Sequence, residues 1–147
     1  MMNQFQKNVK SFFITLLGFS IFACSSQEYT TAKLAIQQSD WSKVEEWLPK
    51  AMEVEPDNPE IPIVYAIEVH ARNENWKSMY DMLQKALTID GNKNAKSVTE
   101  LISEFFPKFD KNYWANNESR KTGEKVEDIL KKWAELGDKA RNLNHSD

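Results

Sequence analysis

Cysteine is almost missing from these 147 residues. Cys24 stands alone, so no intrachain disulfide can form and no metal site built on several cysteines is possible. Four Gly and five Pro are few for a protein of short strands and tight turns, and the polar-apolar mixing between them favours helices. Histidine occurs twice, as His70 and His145. There is no H-E-x-x-H, no Gly-rich phosphate loop and no G-x-S-x-G, so catalysis has no motif to rest on and an enzyme is not expected. No face-sized cluster of Lys and Arg stands out, which argues against a nucleic-acid partner. No apolar run reaches the ~20 residues that a helix needs to cross ~30 Å of hydrocarbon. The length itself fits one domain.

What is present begins at the N-terminus. Met1 to Lys10 is polar and carries Lys7 and Lys10, and Phe12 to Ala23 is apolar and free of charge. Positive charge held on the cytosolic side, then a short apolar stretch, is the layout of a secretory signal. Without Lys7 and Lys10 the 19 basic residues become 17 against 22 acidic, a net charge of about −5 for the remainder. The end of the apolar stretch, Ile21-Phe22-Ala23-Cys24, resembles the lipobox of bacterial lipoproteins, although Phe22 is bulkier than usual there. The resemblance implies cleavage before Cys24 and a diacylglycerol on its thiol, with acyl chains such as palmitate. An ordinary signal followed by an incidental Cys is the alternative. Each buried CH₂ adds ~0.8 kcal/mol, so two or more chains hold a protein durably. Ser25 and Ser26 lack the acidic retention signal of enterobacterial lipoproteins, which points to the outer membrane, facing the periplasm. The expected organisation is a signal peptide over 1–23, a short lipidated tether over 24–28 and a helical domain over 29–147.

The body repeats with a period of 35. Trp41 recurs as Trp76, Val44 as Met79, Leu48 as Leu83, Ala51 as Ala86, Met52 as Leu87 and Val54 as Ile89; Asp40 before the first Trp is matched by Asn75. Within each block the spacing is one face of a helix. A period near 34 built on a helix pair resembles the tetratricopeptide repeat. The first unit spans about 29–56 and the second about 61–91, with Pro56 and Gly91 as their stops. Glu28 occupies the first unit's early apolar place, so its first helix is expected to start late or fray. Pro49 is expected to kink the helix that follows. Val98, Leu101, Ile102 and Phe105 continue the spacing up to Pro107, and Ala115 to Glu124 is polar. Val126, Ile129, Leu130, Trp133, Leu136, Ala140 and Leu143 form one stripe, an amphipathic helix of about five turns. A degenerate third unit and a cap are thus expected over 95–143. The fold expected is all-α, a short tetratricopeptide-like solenoid of antiparallel helix pairs with an amphipathic C-terminal capping helix.

The family resemblance implies a peptide-binding groove lined by the first helix of each unit. Its places fall on Tyr29, Lys33, Ile36 and Gln37, then Val64, Glu68, Ala71 and Arg72, and in the third unit Thr99 and Ser103. Lys33 and Arg72 suit a peptide's carboxylates; Ile36, Val64 and Ala71 supply apolar contact. An ordinary solvent face is the competing reading. His70 is expected to be a packed, half-buried residue and His145 to lie in a terminal tail. Trp41 and Trp76 are expected between helices, and the pairs Glu45-Glu46 and Glu127-Asp128 on solvated faces. The sequence implies no cofactor beyond the lipid on Cys24, no metal, and partners among envelope proteins or peptides. Non-enzymatic protein binding at the membrane is the leading function; the alternative is glycan or small-ligand binding, with Tyr113 and Trp114 as exposed stacking aromatics.

Overall fold

The computed structural model describes residues 25–108 and 111–145, and their side chains outside 104–113. The signal region and the lipidation site expected at Cys24 lie outside the described residues. Every regular element described is a helix: α1 (Gln27–Gln38), α2 (Trp41–Val54), α3 (Glu60–Tyr65, continuing as a π-helical turn over Ala66–Ala71), α4 (Trp76–Ile89), α5 (Gly91–Lys108), α6 (Lys111–Thr122) and α7 (Val126–Asn144). The expected all-α class is what the chain adopts.

α1 and α2 begin on side-chain caps, and the ends of α1 and α2 are matched by those of α3 and α4. Ser26 starts α1 by accepting the Tyr29 N–H at 3.1 Å, and Asp40 starts α2 by accepting that of Lys43 at 3.3 Å. Between them Ser39 takes a left-handed conformation (φ 57°). There the Asp40 N–H reaches back to Ala35 O (2.9 Å) and the Ser39 N–H to Ile36 O (3.0 Å), the paired bonds of a Schellman motif. Glu74, 35 residues on, repeats the device at φ 52°: Asn75 N–H donates to His70 O (2.8 Å) and Glu74 N–H to Ala71 O (3.3 Å). The sequence period is thus a period of turns as well as of apolar residues.

Packing follows the stripes. Tyr29, Ala32 and Ala35 of α1 meet Val44, Leu48 and Ala51 of α2, and Ile61, Val64 and Val69 of α3 close this first cluster. The opposite side of α3, through Ile63, Ala66, Ile67 and Ala71, joins a larger cluster. That cluster takes in Met79, Leu83 and Ala86 of α4, Val98 and Leu101 of α5, Trp114 of α6, and Ile129, Trp133 and Leu136 of α7. α3 is therefore a wall shared by two cores, which is why it is apolar nearly all round. Pro62 is tolerated in its first turn because the missing N–H has no intrahelical partner there.

Several boundaries depart from the sequence reading. α1 is neither late nor frayed: Glu28 is half-buried inside it, and the helix is fastened at Gln27 by the Ser26 cap. The segment expected as a tether over 24–28 is accordingly already helix from Gln27. Gly91 does not stop a helix but begins one, with Asp90 as the single residue between α4 and α5. The Asp90 carboxylate accepts the Lys93 N–H at 3.0 Å, so a cap overrides the break that glycine signals. A Cβ on Gly91 would lie 3.0 Å from Leu143 Cδ1, so this junction packs directly beneath the end of α7. α5 runs past Pro107 to Lys108, while Pro49 lies inside α2, where the repeat placed it. The stretch from Ala115, read as polar, is mostly helix α6, a narrow stripe of Trp114, Ala115 and Glu118 buried against α4 and α7.

Candidate binding surface

Helix α1 carries Tyr29, Lys33, Ile36 and Gln37 at spacings of three to four, and α3 carries Val64, Glu68 and Ala71, with Arg72 the residue that follows its last turn. Burial divides these eight. Tyr29 is fully enclosed, and Val64, Glu68 and Ala71 are each buried to within a few per cent. Lys33, Ile36 and Arg72 are half-buried and Gln37 is exposed, so these four are the accessible part of the expected groove. Thr99 is half-buried, its hydroxyl donating to Ala95 O at 2.8 Å, and Ser103 is exposed.

The two cations of the groove already have aromatic partners. The Lys33 Nζ lies 4.5 Å from the centre of the Tyr29 ring and donates to Ser25 Oγ at 3.2 Å. The Arg72 guanidinium sits 3.4 Å above the Trp41 ring, close enough for cation–π attraction and stacking. One turn before it, buried Glu68 has its carboxyl pushed up by desolvation, against the opposing pull of the Arg72 charge. Burial likewise pushes the Tyr29 hydroxyl up, helped by the neighbouring carboxylates of Glu60 and Glu55.

The other side of α3 carries His70. In the π-helical turn, residues five apart come nearly over one another, and the His70 ring stacks on Tyr65 with centroids 4.5 Å apart. Burial holds the His70 imidazole below its ordinary value, although Asp81 and Glu45 pull the other way. Asn73 donates to Glu45 Oε1 at 2.8 Å, tying the end of α3 to α2. Half-buried and packed, His70 sits as the sequence suggested. Glu45, Glu46, Glu127 and Asp128 are exposed, Trp76 is buried and Trp41 is half-buried.

The glycan platform is corrected by the structure. Trp114 is 5% exposed, tilted against Trp76 at 6.1 Å and edge-on to Trp133 at 5.8 Å, so it belongs to the core and not to a sugar-binding face. The Tyr113 side chain is outside the described set. Trp114 looked exposed because the sequence after it is polar; Glu118, four residues on, is the side chain that shares its buried face. Glu118 Oε1 accepts the Lys77 N–H at 3.1 Å, giving α4 the cap that Asn75 does not provide. Sequence reasoning missed this residue, since its partner is 41 positions away.

It also missed a fastening at the start of the described chain. The Ser26 N–H donates to Glu55 Oε1 at 2.6 Å, and Asn58 Nδ2 donates to Glu55 Oε2 at 2.8 Å. Burial opposes ionisation of Glu55, but these hydrogen bonds and the Lys33 charge together hold its carboxyl below the usual range. Among the described residues no group of His, Cys, Asp and Glu is placed to hold a metal, and no helix is long and apolar enough to cross a membrane. Compared with protein-family models, curated proteins and solved structures, the chain matches none.

Proposed function

We propose that this chain is a lipid-anchored, tetratricopeptide-like interaction module of the bacterial envelope. It is held through Cys24 at the outer membrane, faces the periplasm, and binds other envelope proteins or peptides without catalysing a reaction. The observation that carries the reading is the recurrence at 35 residues: Ser39 and Glu74 make the same turn, and Leu48 and Leu83 are buried in the same register. Helix pairs repeated in register form extended surfaces suited to binding peptides. The lipobox-like Ile21-Phe22-Ala23-Cys24 supports the anchor.

The groove would present Lys33, Ile36, Gln37 and Arg72, two cations beside one apolar side chain, to an acidic peptide segment. The test replaces both cations, Lys33→Glu with Arg72→Glu, and compares capture of envelope proteins by the membrane-extracted protein. Circular dichroism checks that the variant stays helical, because both cations also pack on aromatic rings. Weakened capture is expected; full capture by a folded double variant overturns the groove. Intact mass tests the anchor: a chain starting at Cys24 with acyl chains is expected, and an unmodified thiol refutes it.

A further inference from the structure

Helix packing gives the molecule two ends. At one end are Ser25 and Ser26, the last residues of α2 and the loop leading into α3. At the other are Gln38, the left-handed Ser39, and the matching turn at Glu74. Ser25 and Ser26 do not hang from the first end. The Ser26 N–H is fixed to Glu55 at 2.6 Å, its carbonyl accepts the Thr30 N–H at 3.0 Å, its hydroxyl accepts the Tyr29 N–H, and Ser25 accepts from Lys33. A backbone N–H donated to an ionised carboxylate makes one of the stronger kinds of hydrogen bond, which favours the closed contact. Beside Glu55 stands Val54, which is 55% exposed and one of two large apolar side chains so exposed among the described residues; Pro56 is exposed on its other flank. Glu53 and Asp57, also exposed, flank this patch, and the α4–α5 junction with its exposed Lys93 and the end of α7 lie at the same end of the molecule.

We propose that this end lies against the bilayer in a fixed pose, with Glu55 as the latch that sets it. The proposal rests on the lipid-anchor reading: a lipid on the residue preceding Ser25 starts one peptide bond from a backbone held to the body of the protein. The domain therefore cannot swing as it would on a flexible linker. Val54 and Pro56 meet the headgroup layer, and the acidic neighbours favour zwitterionic over anionic lipid. The opposite end, carrying the turns after α1 and α3, points away from the membrane toward a partner.

The pose can be read by fluorescence quenching. A lipidated Cys24 has no free thiol, so an introduced cysteine is the single labelling site in the full lipidated protein. Asp57→Cys places a label at the anchored end and Gln38→Cys at the far end; the 12 residues of α1 put these ends about 18 Å apart. The labelled proteins are reconstituted in phosphatidylethanolamine–phosphatidylcholine vesicles that carry doxyl-labelled phosphatidylcholine. Quenching several-fold stronger at position 57 than at 38 is expected, and Glu55→Ala should shrink that contrast. Equal quenching at the two positions, in protein shown by intact mass to be acylated, overturns the pose and leaves the anchor standing. Absence of acylation overturns both.

Discussion

Ser39 and Glu74 hold backbone conformations that cost an L-residue roughly 1–2 kcal/mol. Both close a Schellman motif, where glycine is the usual choice. Ser39→Gly and Glu74→Gly are expected to stabilise the fold by about 0.5–1 kcal/mol each, the relief of strain exceeding the entropy that glycine adds to the unfolded chain. Urea denaturation measures this, and a loss of stability in both variants would contradict the assigned turns. His70 gives a pH-dependent counterpart. Its folded pKa lies below the ordinary 6.5, so folding favours the neutral ring. That contribution is whole above pH 6.5 and is lost as pH falls through the folded pKa. The stability of wild type relative to His70→Gln should therefore decline as melting is followed from pH 7.5 downward through the folded pKa. A pH-independent difference would show that burial does not hold the imidazole neutral. Residues of this kind were only partly legible in the sequence. His70 could be placed because its neighbours are periodic, whereas nothing local marks a Ser or a Glu as left-handed.

At the scale of elements, α6 is the helix the sequence hid. Among its described side chains the buried stripe is two apolar residues and a glutamate, and its packing rests on α4 and α7. Glu118 caps the N-terminus of α4, and the Lys121 ammonium donates to Glu74 O at 3.1 Å, so α6 clasps the turn that separates α3 from α4. Glu118→Ala should cost about 1–2 kcal/mol through the lost cap. Hydrogen exchange at the Lys77 amide should quicken more than at amides in the middle of α4; unchanged exchange would mean that the carboxylate does not cap. Periodicity located α2, α4 and α7 well because their buried residues recur within one helix. It failed at α6, and at the start of α5, because the determinants there are tertiary: a carboxylate 41 residues away, and the Asp90 cap between two abutting helices. The candidate groove fared similarly. Its register on α1 and α3 could be written down from the repeat, but the enclosure of Tyr29, Val64, Glu68 and Ala71 follows from α3 being packed on both sides.

For the whole molecule, the shared wall decides how the fold comes apart. Leu48 belongs to the first cluster and Leu83 to the second, at equivalent places in the repeat. Leu48→Ala and Leu83→Ala should each cost about 2–5 kcal/mol, and both should shift one common unfolding transition, since α3 cannot lose one core without exposing the other. Two separated transitions by calorimetry would show that the first helix pair unfolds independently. The same helix holds a record of length. The period of this chain is 35 residues, and the π-helical turn of α3 falls within it. A π-helical turn accommodates one surplus residue while leaving the helix on either side in phase. Removing a residue from the middle of α1, α2 or α4 would swing the later side chains of that helix by about 100° and turn part of its core stripe toward water. Between Ala66 and Ala71 the chain has slack, and a one-residue deletion there lets α3 rewind as a plain α-helix with both of its flanking faces still pointing inward.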